Sequence, residues 1–213
     1  MVSKRKYILF IFMVLLLAMI AVWVVKILNG SVPYVDQWTR DLVAQMDETV
    51  LYTIARWLTE LGSSTFLIPF VIIIALFLWW KYYDWLPPII FAGGTLGTHL
   101  LNQLIKGLVE RERPSILIAA NAEGHSFPSG HAMISIVCYG LLAYFIAALL
   151  KTKRGKIVVH SSLAILIFLI GMSRYVINVH YLTDVVAGFI IGYLCLIALI
   201  YIYEAIAKRR SRS

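Results

Sequence analysis

Two histidines, one carboxylate and three cations stand along this chain in an arrangement that can move a phosphoryl group. His180 and Asp184 are four residues apart, a spacing at which two side chains share a helical face and can hydrogen-bond. A carboxylate that holds one imidazole nitrogen fixes the tautomer and leaves the other nitrogen free to attack. His180 is therefore the candidate nucleophile, forming a phosphohistidine, and Asp184 its orienter. Lys106, Arg113 and Arg174 add fixed positive charge that nearby acids only partly offset. Phosphate is their natural partner, because an arginine fork matches its oxygens and lysine supplies a point charge.

A third cluster, Pro128-Ser129-Gly130-His131, reads as the start of a helix, with Ser129 as cap and Gly130 admitting a close ligand. The free amides of such a start attract an anion and would stabilise charge on a transferring phosphoryl group. His131, beside that cradle, is placed to protonate a leaving alcohol and then to activate water. No acidic cluster with metal-ligand spacing accompanies these residues, so neither metal nor cofactor is expected.

The elements that carry these residues are membrane helices. The 213 residues are 61 % hydrophobic and only 14 % charged, a balance foreign to soluble domains. Six stretches are long and apolar enough to span: 7–28, 64–82, 86–107, 129–150, 158–177 and 183–207. They predict one all-α integral membrane domain over 1–213, with no room for a separate soluble part. The first stretch runs past twenty apolar residues without a convincing cleavage site, and is expected to be retained rather than removed as a signal peptide.

Of nineteen Lys and Arg residues, twelve fall on one side when the N-terminus is placed in the cytoplasm, while Asp36, Asp41, Asp47, Glu48 and Glu60 crowd the first external connection. This asymmetry predicts both termini inside and all three polar clusters at the outer end of spans three to six. The net charge of +8 is thus a topology signal, spread among tails and turns rather than gathered on a face for nucleic acid.

The longest connection carries Leu42, Met46, Val50, Ile54, Trp57, Leu58 and Leu61 at helical spacing, which predicts an interfacial helix over about 36–61. Gly93-x3-Gly97 and Gly188-x3-Gly192 predict close helix packing inside the bundle. Cys138 and Cys195 are expected as packing residues. His99 shares a polar helical stripe with Thr95, Asn102 and Lys106, best read as interhelical hydrogen bonding. Glu110, Glu112 and Glu123 read as solvated loop charges, and His125 and His160 as loop and interface residues.

Lys106-x6-Arg113-Pro114, Pro128-Ser129-Gly130-His131 and Ser173-Arg174-x5-His180-x3-Asp184 together resemble the three-part signature of the type 2 phosphatidic acid phosphatase family. The order and internal spacings match throughout, and the six-span form resembles the bacterial phosphatidylglycerophosphatases of that family. The resemblance implies that Lys106, Arg113, Ser129, Gly130 and Arg174 bind substrate phosphate. It implies His131 as acid, His180 as nucleophile and Asp184 as its partner, in a bacterial cell membrane, on a lipid phosphate, with no obligate protein partner.

Each of these residues has a plainer role when taken singly. Asp184 could cap a helix, Arg174 could snorkel and Lys106 could anchor topology. None of those roles predicts two histidines and three cations converging at one membrane face. Phosphatidylglycerophosphate is the substrate the resemblance favours, undecaprenyl pyrophosphate the alternative, and a non-catalytic lipid-phosphate binding protein the alternative of another class. A vanadium-dependent haloperoxidase, a soluble group with a shared anion cradle, is disfavoured by the spans.

Overall fold

In the computed structural model, residues 4–44, 46, 49–115, 122 and 124–211 are described, and among them the chain is helical, with eight helices and no strand element. Asp47, Glu48 and Glu123, read above as charges of the connections, lie outside the described residues, as does Arg212 of the basic C-terminal tail. The helices are α1 (Lys4–Leu28), α2 (Tyr34–Ala44), α3 (Val50–Glu60), α4 (Ser64–Tyr82), α5 (Leu86–Val109), α6 (Gly130–Leu149), α7 (Lys153–Val176) and α8 (Leu182–Arg210).

Hydroxyl caps set four of the eight starts, by taking an amide that the first turn leaves without a partner. Thr49 accepts from Tyr52, Ser63 from Phe66, Ser129 from Ala132 and Thr152 from Gly155. Proline follows the start of α5, where its missing N–H costs nothing, and Glu110 ends that helix in a left-handed turn (φ 48°).

Among the described residues five helices are long and apolar enough to cross a membrane: α1 over Phe10–Leu28, then α4, α6, α7 and α8. Helix α5 has the length but carries Thr95, Thr98, His99, Asn102, Gln103 and Lys106, and those polar residues lower its hydropathy. Helix α6 is the hub, packed against α5, α7 and α8. Leu78, Phe91, Val137, Leu141, Phe145 and Ile170 are wholly buried around it. Cys138 and Cys195 are unpaired and belong to this apolar core, as their sequence context implied.

The two glycine motifs part company here. A Cβ on Gly188 would lie 2.7 Å from the Ser129 carbonyl oxygen, and one on Gly192 2.6 Å from that of Met133, so α8 and α6 meet backbone to backbone. Gly93 and Gly97 have no such neighbour within 4 Å; it is Gly94, between them, that faces Leu199. The packing expected of the α5 motif is therefore corrected to its neighbouring residue.

A second correction concerns the external connection. One helix over 36–61 was expected, and two are found, because Thr49 takes extended backbone (φ −79°, ψ 162°) to cap α3 separately. The buried faces of the pair mix polar and apolar residues: Asp36, Thr39, Val43, Ala55 and Thr59 are buried, while Trp38, Leu42, Val50, Ile54 and Trp57 are exposed.

Candidate active site

The C-terminal ends of α5 and α7 and the N-terminal ends of α6 and α8 meet at one end of the bundle, with α2 and α3 against them. The turn from α7 to α8 is wound tightly back on itself. Asn178 sits in the left-handed region (φ 57°), and the amides of both Val179 and His180 donate to the Arg174 carbonyl, each at 3.2 Å. That double contact places His180 directly over the end of the helix that carries Arg174. Asparagine suits such a position because it tolerates left-handed backbone better than most residues.

A cavity of about 140 Å³ opens among these ends, and Lys106, Arg113, Gly130, His131, Arg174 and His180 all line it. Six of the eight sequence-predicted site residues thus share one wall, although they are drawn from three helices and two loops. The other two, Ser129 and Asp184, do not line it; both are fully buried behind it. The Ser129 hydroxyl caps α6 through the Ala132 amide, and its own amide donates to the Asp184 carbonyl (3.0 Å), fastening α6 to α8. The amides of Gly130 and His131 belong to the first turn of α6, whose N–H groups have no partner within the helix.

The hydrogen bonds decide the state of His180. Its Nδ1 faces Asp184 Oδ2 at 3.4 Å, and its Nε2 lies 2.9 Å from Arg113 Nη1. A guanidinium can only donate, so Nε2 holds a lone pair and the proton sits on Nδ1, toward the carboxylate. Burial, then the Arg113 guanidinium, then Arg174 and Lys106, hold the His180 imidazole well below its ordinary titration range. A neutral ring with a lone pair on Nε2, at the wall of a cationic cavity, has the state that attack on an electrophilic centre requires.

The cations are themselves fixed by carbonyls and a hydroxyl. Lys106 Nζ donates to the His125 carbonyl (2.8 Å), and Arg113 donates to those of Gly124 (3.0 Å) and Val179 (2.9 Å). Arg174 Nη1 donates to the Thr59 hydroxyl of α3 at 2.8 Å, and its side chain is fully buried. His131 stands differently, because its Nε2 is buried with no hydrogen-bond partner among the described residues. Among the described residues no three His, Cys, Asp or Glu side chains are grouped as a metal ion needs.

Several functional neighbours were not legible in the sequence. Arg111, in the loop after α5, is buried and pairs with both Asp184 (2.6 Å) and Asp36 (2.7 Å). Asp36 counted only as an external charge in the topology argument, yet here it is enclosed by protein. Gly62 abuts the His131 ring, and Asn102 donates to the Pro128 carbonyl (3.1 Å) just before α6. Of the polar stripe on α5, Asn102 and Lys106 bond outside their own helix, while Thr95 bonds back to the Phe91 carbonyl and nearby Thr98 to that of Gly94. Arg111 lies two residues before Arg113, but nothing in a charged run Glu110-Arg111-Glu112-Arg113 marks which arginine turns inward.

The model of the PAP2 superfamily matches residues 87–208, which run from the start of α5 to the end of α8 and hold every residue of the cavity's cationic wall. The chain belongs to the PAP2 superfamily. Among its relatives, phosphatidylglycerophosphatase B of Bacillus subtilis (strain 168) is 35 % identical over 140 residues, 64 % of this chain and 68 % of that protein. Dolichyldiphosphatase of Saccharomyces cerevisiae is 26 % identical over 158 residues, 70 % of this chain and 66 % of that one. The crystal structure of a transmembrane PAP2-type phosphatidylglycerolphosphate phosphatase from Bacillus subtilis superposes with a TM-score of 0.76 at 28 % identity, covering 96 % of this chain and 98 % of its own. All three relatives are named phosphatases, and this PAP2 chain is a hydrolase of that kind.

Proposed function

We propose that this PAP2 protein removes the phosphate of a membrane lipid without a metal ion, through a phosphohistidine on His180. The observation that carries the reading is the lining of the 140 Å³ cavity, which brings Lys106, Arg113 and Arg174 together with His180, whose Nε2 lies 2.9 Å from Arg113 Nη1. The phosphate of the substrate takes the donors of these cations and the amides at the start of α6. Arg113 then turns its donor from Nε2 to a phosphate oxygen, and the nitrogen is freed to attack.

The Nε2–P bond forms as the P–O bond to the lipid breaks, and His131 gives a proton to the departing alkoxide. The Nδ1 proton stays toward Asp184, whose charge balances the phosphorylated imidazolium. His131 next takes a proton from water, hydroxide attacks phosphorus, and the P–N bond breaks to release inorganic phosphate. Ser129 acts from behind by holding the first turn of α6 in place.

Lipid as the carrier of the phosphate is supported by a second cavity. An apolar groove of about 430 Å³ between α4 and α5 shares Gly62, Ser64, His99 and Ile134 with the phosphate cavity. A headgroup in the one leaves its acyl chain beside the other. Six spans, with α5 as the third, put the site at the outer face of a bacterial cell membrane and both termini inside. The charges at the opposite end of the bundle support that orientation: Lys81 closes α4, Lys153 and Arg154 open α7, and Arg210 of α8 pairs with Asp84. In that setting α2 and α3 rest their exposed tryptophans at headgroup depth, within one membrane domain.

Phosphatidylglycerophosphate is the favoured substrate, since the relative with the higher identity is named for it. An undecaprenyl pyrophosphate reading is kept because the second relative is named a dolichyldiphosphatase. Binding without turnover fits poorly, since a binding site needs no oriented nucleophile.

The test is phosphate release in detergent with a chelator present, on both lipids, by wild type and His180→Ala. Chelator-resistant release that vanishes in the variant is expected, and the faster lipid names the substrate. No release from either lipid by folded wild-type protein would refute the phosphatase reading for these substrates.

A further inference from the structure

Behind His180 lies a closed network of which the reaction above uses only Asp184. Asp184 Oδ2 accepts from the Tyr181 amide (2.9 Å) and faces His180 Nδ1 (3.4 Å), while Oδ1 is held by Arg111 Nη1 at 2.6 Å. The second arginine nitrogen, Nη2, donates to Asp36 Oδ2 on α2 at 2.7 Å. Thr183 closes the ring. Its amide and hydroxyl donate to the two oxygens of Asp36 (3.0 and 2.6 Å), and its hydroxyl also accepts from Arg111 Nη1 (2.9 Å). The guanidinium lies 3.8 Å over the Tyr181 ring, and all of Asp36, Arg111, Thr183 and Asp184 are buried.

We propose that Arg111 is a positioning residue for His180, acting through Asp184, and that Asp36 of α2 holds it in place. The proposal rests on the nucleophile reading above. The physical case has two parts. First, a carboxylate has two oxygens, and an arginine fixed on one of them leaves a single geometry for the other. Without that contact the Asp184 carboxylate is freer to rotate away from His180 Nδ1. Second, two buried carboxylates against one guanidinium leave one negative charge beside His180. That charge is unhelpful to a neutral ring and useful to the imidazolium formed when Nε2 bonds to phosphorus. Burying such a triad seldom adds stability over apolar packing, which points away from a purely structural role.

The charged and titratable groups around His180 are Lys106 from α5, Arg113 and, through Asp184, Arg111 from the following loop, His131 from α6, Arg174 from α7 and Asp184 from α8. Glu60 and Arg56 of α3 act further off, on Arg174. Removing Arg111 takes a positive charge from this set and leaves Asp184 undivided, and both changes favour a protonated His180.

The experiment uses the full chain in detergent with ¹⁵N-labelled histidine, the His180 signals being assigned with His180→Gln. In Arg111→Met the titration midpoint of His180 should rise by about one pH unit, the lower end of what a neighbouring charge does. Arg111→Lys should keep the midpoint near that of wild type, since charge is retained, while kcat falls because the fork is lost. Asp36→Asn, which preserves shape and tests the case should Arg111→Met not fold, should lower kcat about tenfold to a hundredfold with KM within about twofold. An unmoved midpoint in folded Arg111→Met, or wild-type kcat in Asp36→Asn, overturns the proposal. Should wild type release no phosphate, the phosphatase reading fails and the midpoint alone decides whether Arg111 tunes His180.

Discussion

Replacing Gly62 by alanine places one methyl group where the structure leaves none. The turn between α3 and α4 is held to α6 by the Tyr139 hydroxyl, which donates to the Leu61 carbonyl at 2.7 Å, so it cannot simply lift away. A Cβ at Gly62 would lie 2.7 Å from His131 Cδ2 and 2.6 Å from Ile170 Cγ2. Ordinary contact begins near 3.4 Å, so the imidazole must give by about 0.7 Å, and Ile170 by slightly more. Ile170 is wholly buried in the core and yields poorly; the His131 ring borders a cavity and yields more easily. Overpacking of this kind costs about 1–3 kcal/mol of stability. A displacement near 1 Å of a proton-transfer group costs up to about a hundredfold in rate. Gly62→Ala should therefore lower kcat about tenfold to a hundredfold with little change in KM, and lower the melting temperature in detergent modestly. The assay is phosphate release at saturating lipid, with Gly93→Ala as the control, because nothing lies within 4 Å of that site. A Gly62→Ala enzyme with wild-type kcat would refute the claim that this glycine sets the position of His131.

Two further outcomes follow from the same geometry. Arg174→Lys keeps the charge but loses the planar fork that reaches the Thr59 hydroxyl, and phosphate release should drop at least about a hundredfold; near-normal rates would remove Arg174 from the phosphate site. The pH dependence of kcat/KM should be bell-shaped, with an acid limb well below 6.5, because the proposed mechanism needs a neutral His180 to attack and burial with Arg113 keeps it so. A flat profile from pH 5 to 9 would count against two titrating histidines. The sign for stability is the same: the unfolded chain takes up a proton below about 6.5 that folded His180 refuses, so melting temperature should fall as pH drops through that range.

The line between what could be read and what could not follows from how far apart the cooperating residues lie. Apolar runs of span length are local, so the long helices could be read within a few residues of their ends. The three polar clusters were also local, each within about a dozen residues, and their chemistry is carried by residue type: an imidazole four residues before a carboxylate, a serine-glycine helix start, an arginine fork. What tertiary structure decided was which neighbours complete them. Asp36 and Arg111 are 75 residues apart and meet only because α2 folds back over the start of α8. Thr59 reaches Arg174 across 115 residues, and Gly62 reaches His131 through a turn with no sequence mark of its own. The external connection reads as one helix because periodicity reports a repeating face and does not mark a new helix start such as the one Thr49 caps. That Asp36, Thr39 and Thr59 turn inward while its tryptophans stay exposed could not be inferred either. A sequence states that one side of a helix is apolar, while the surroundings decide whether that side meets a protein core or a bilayer.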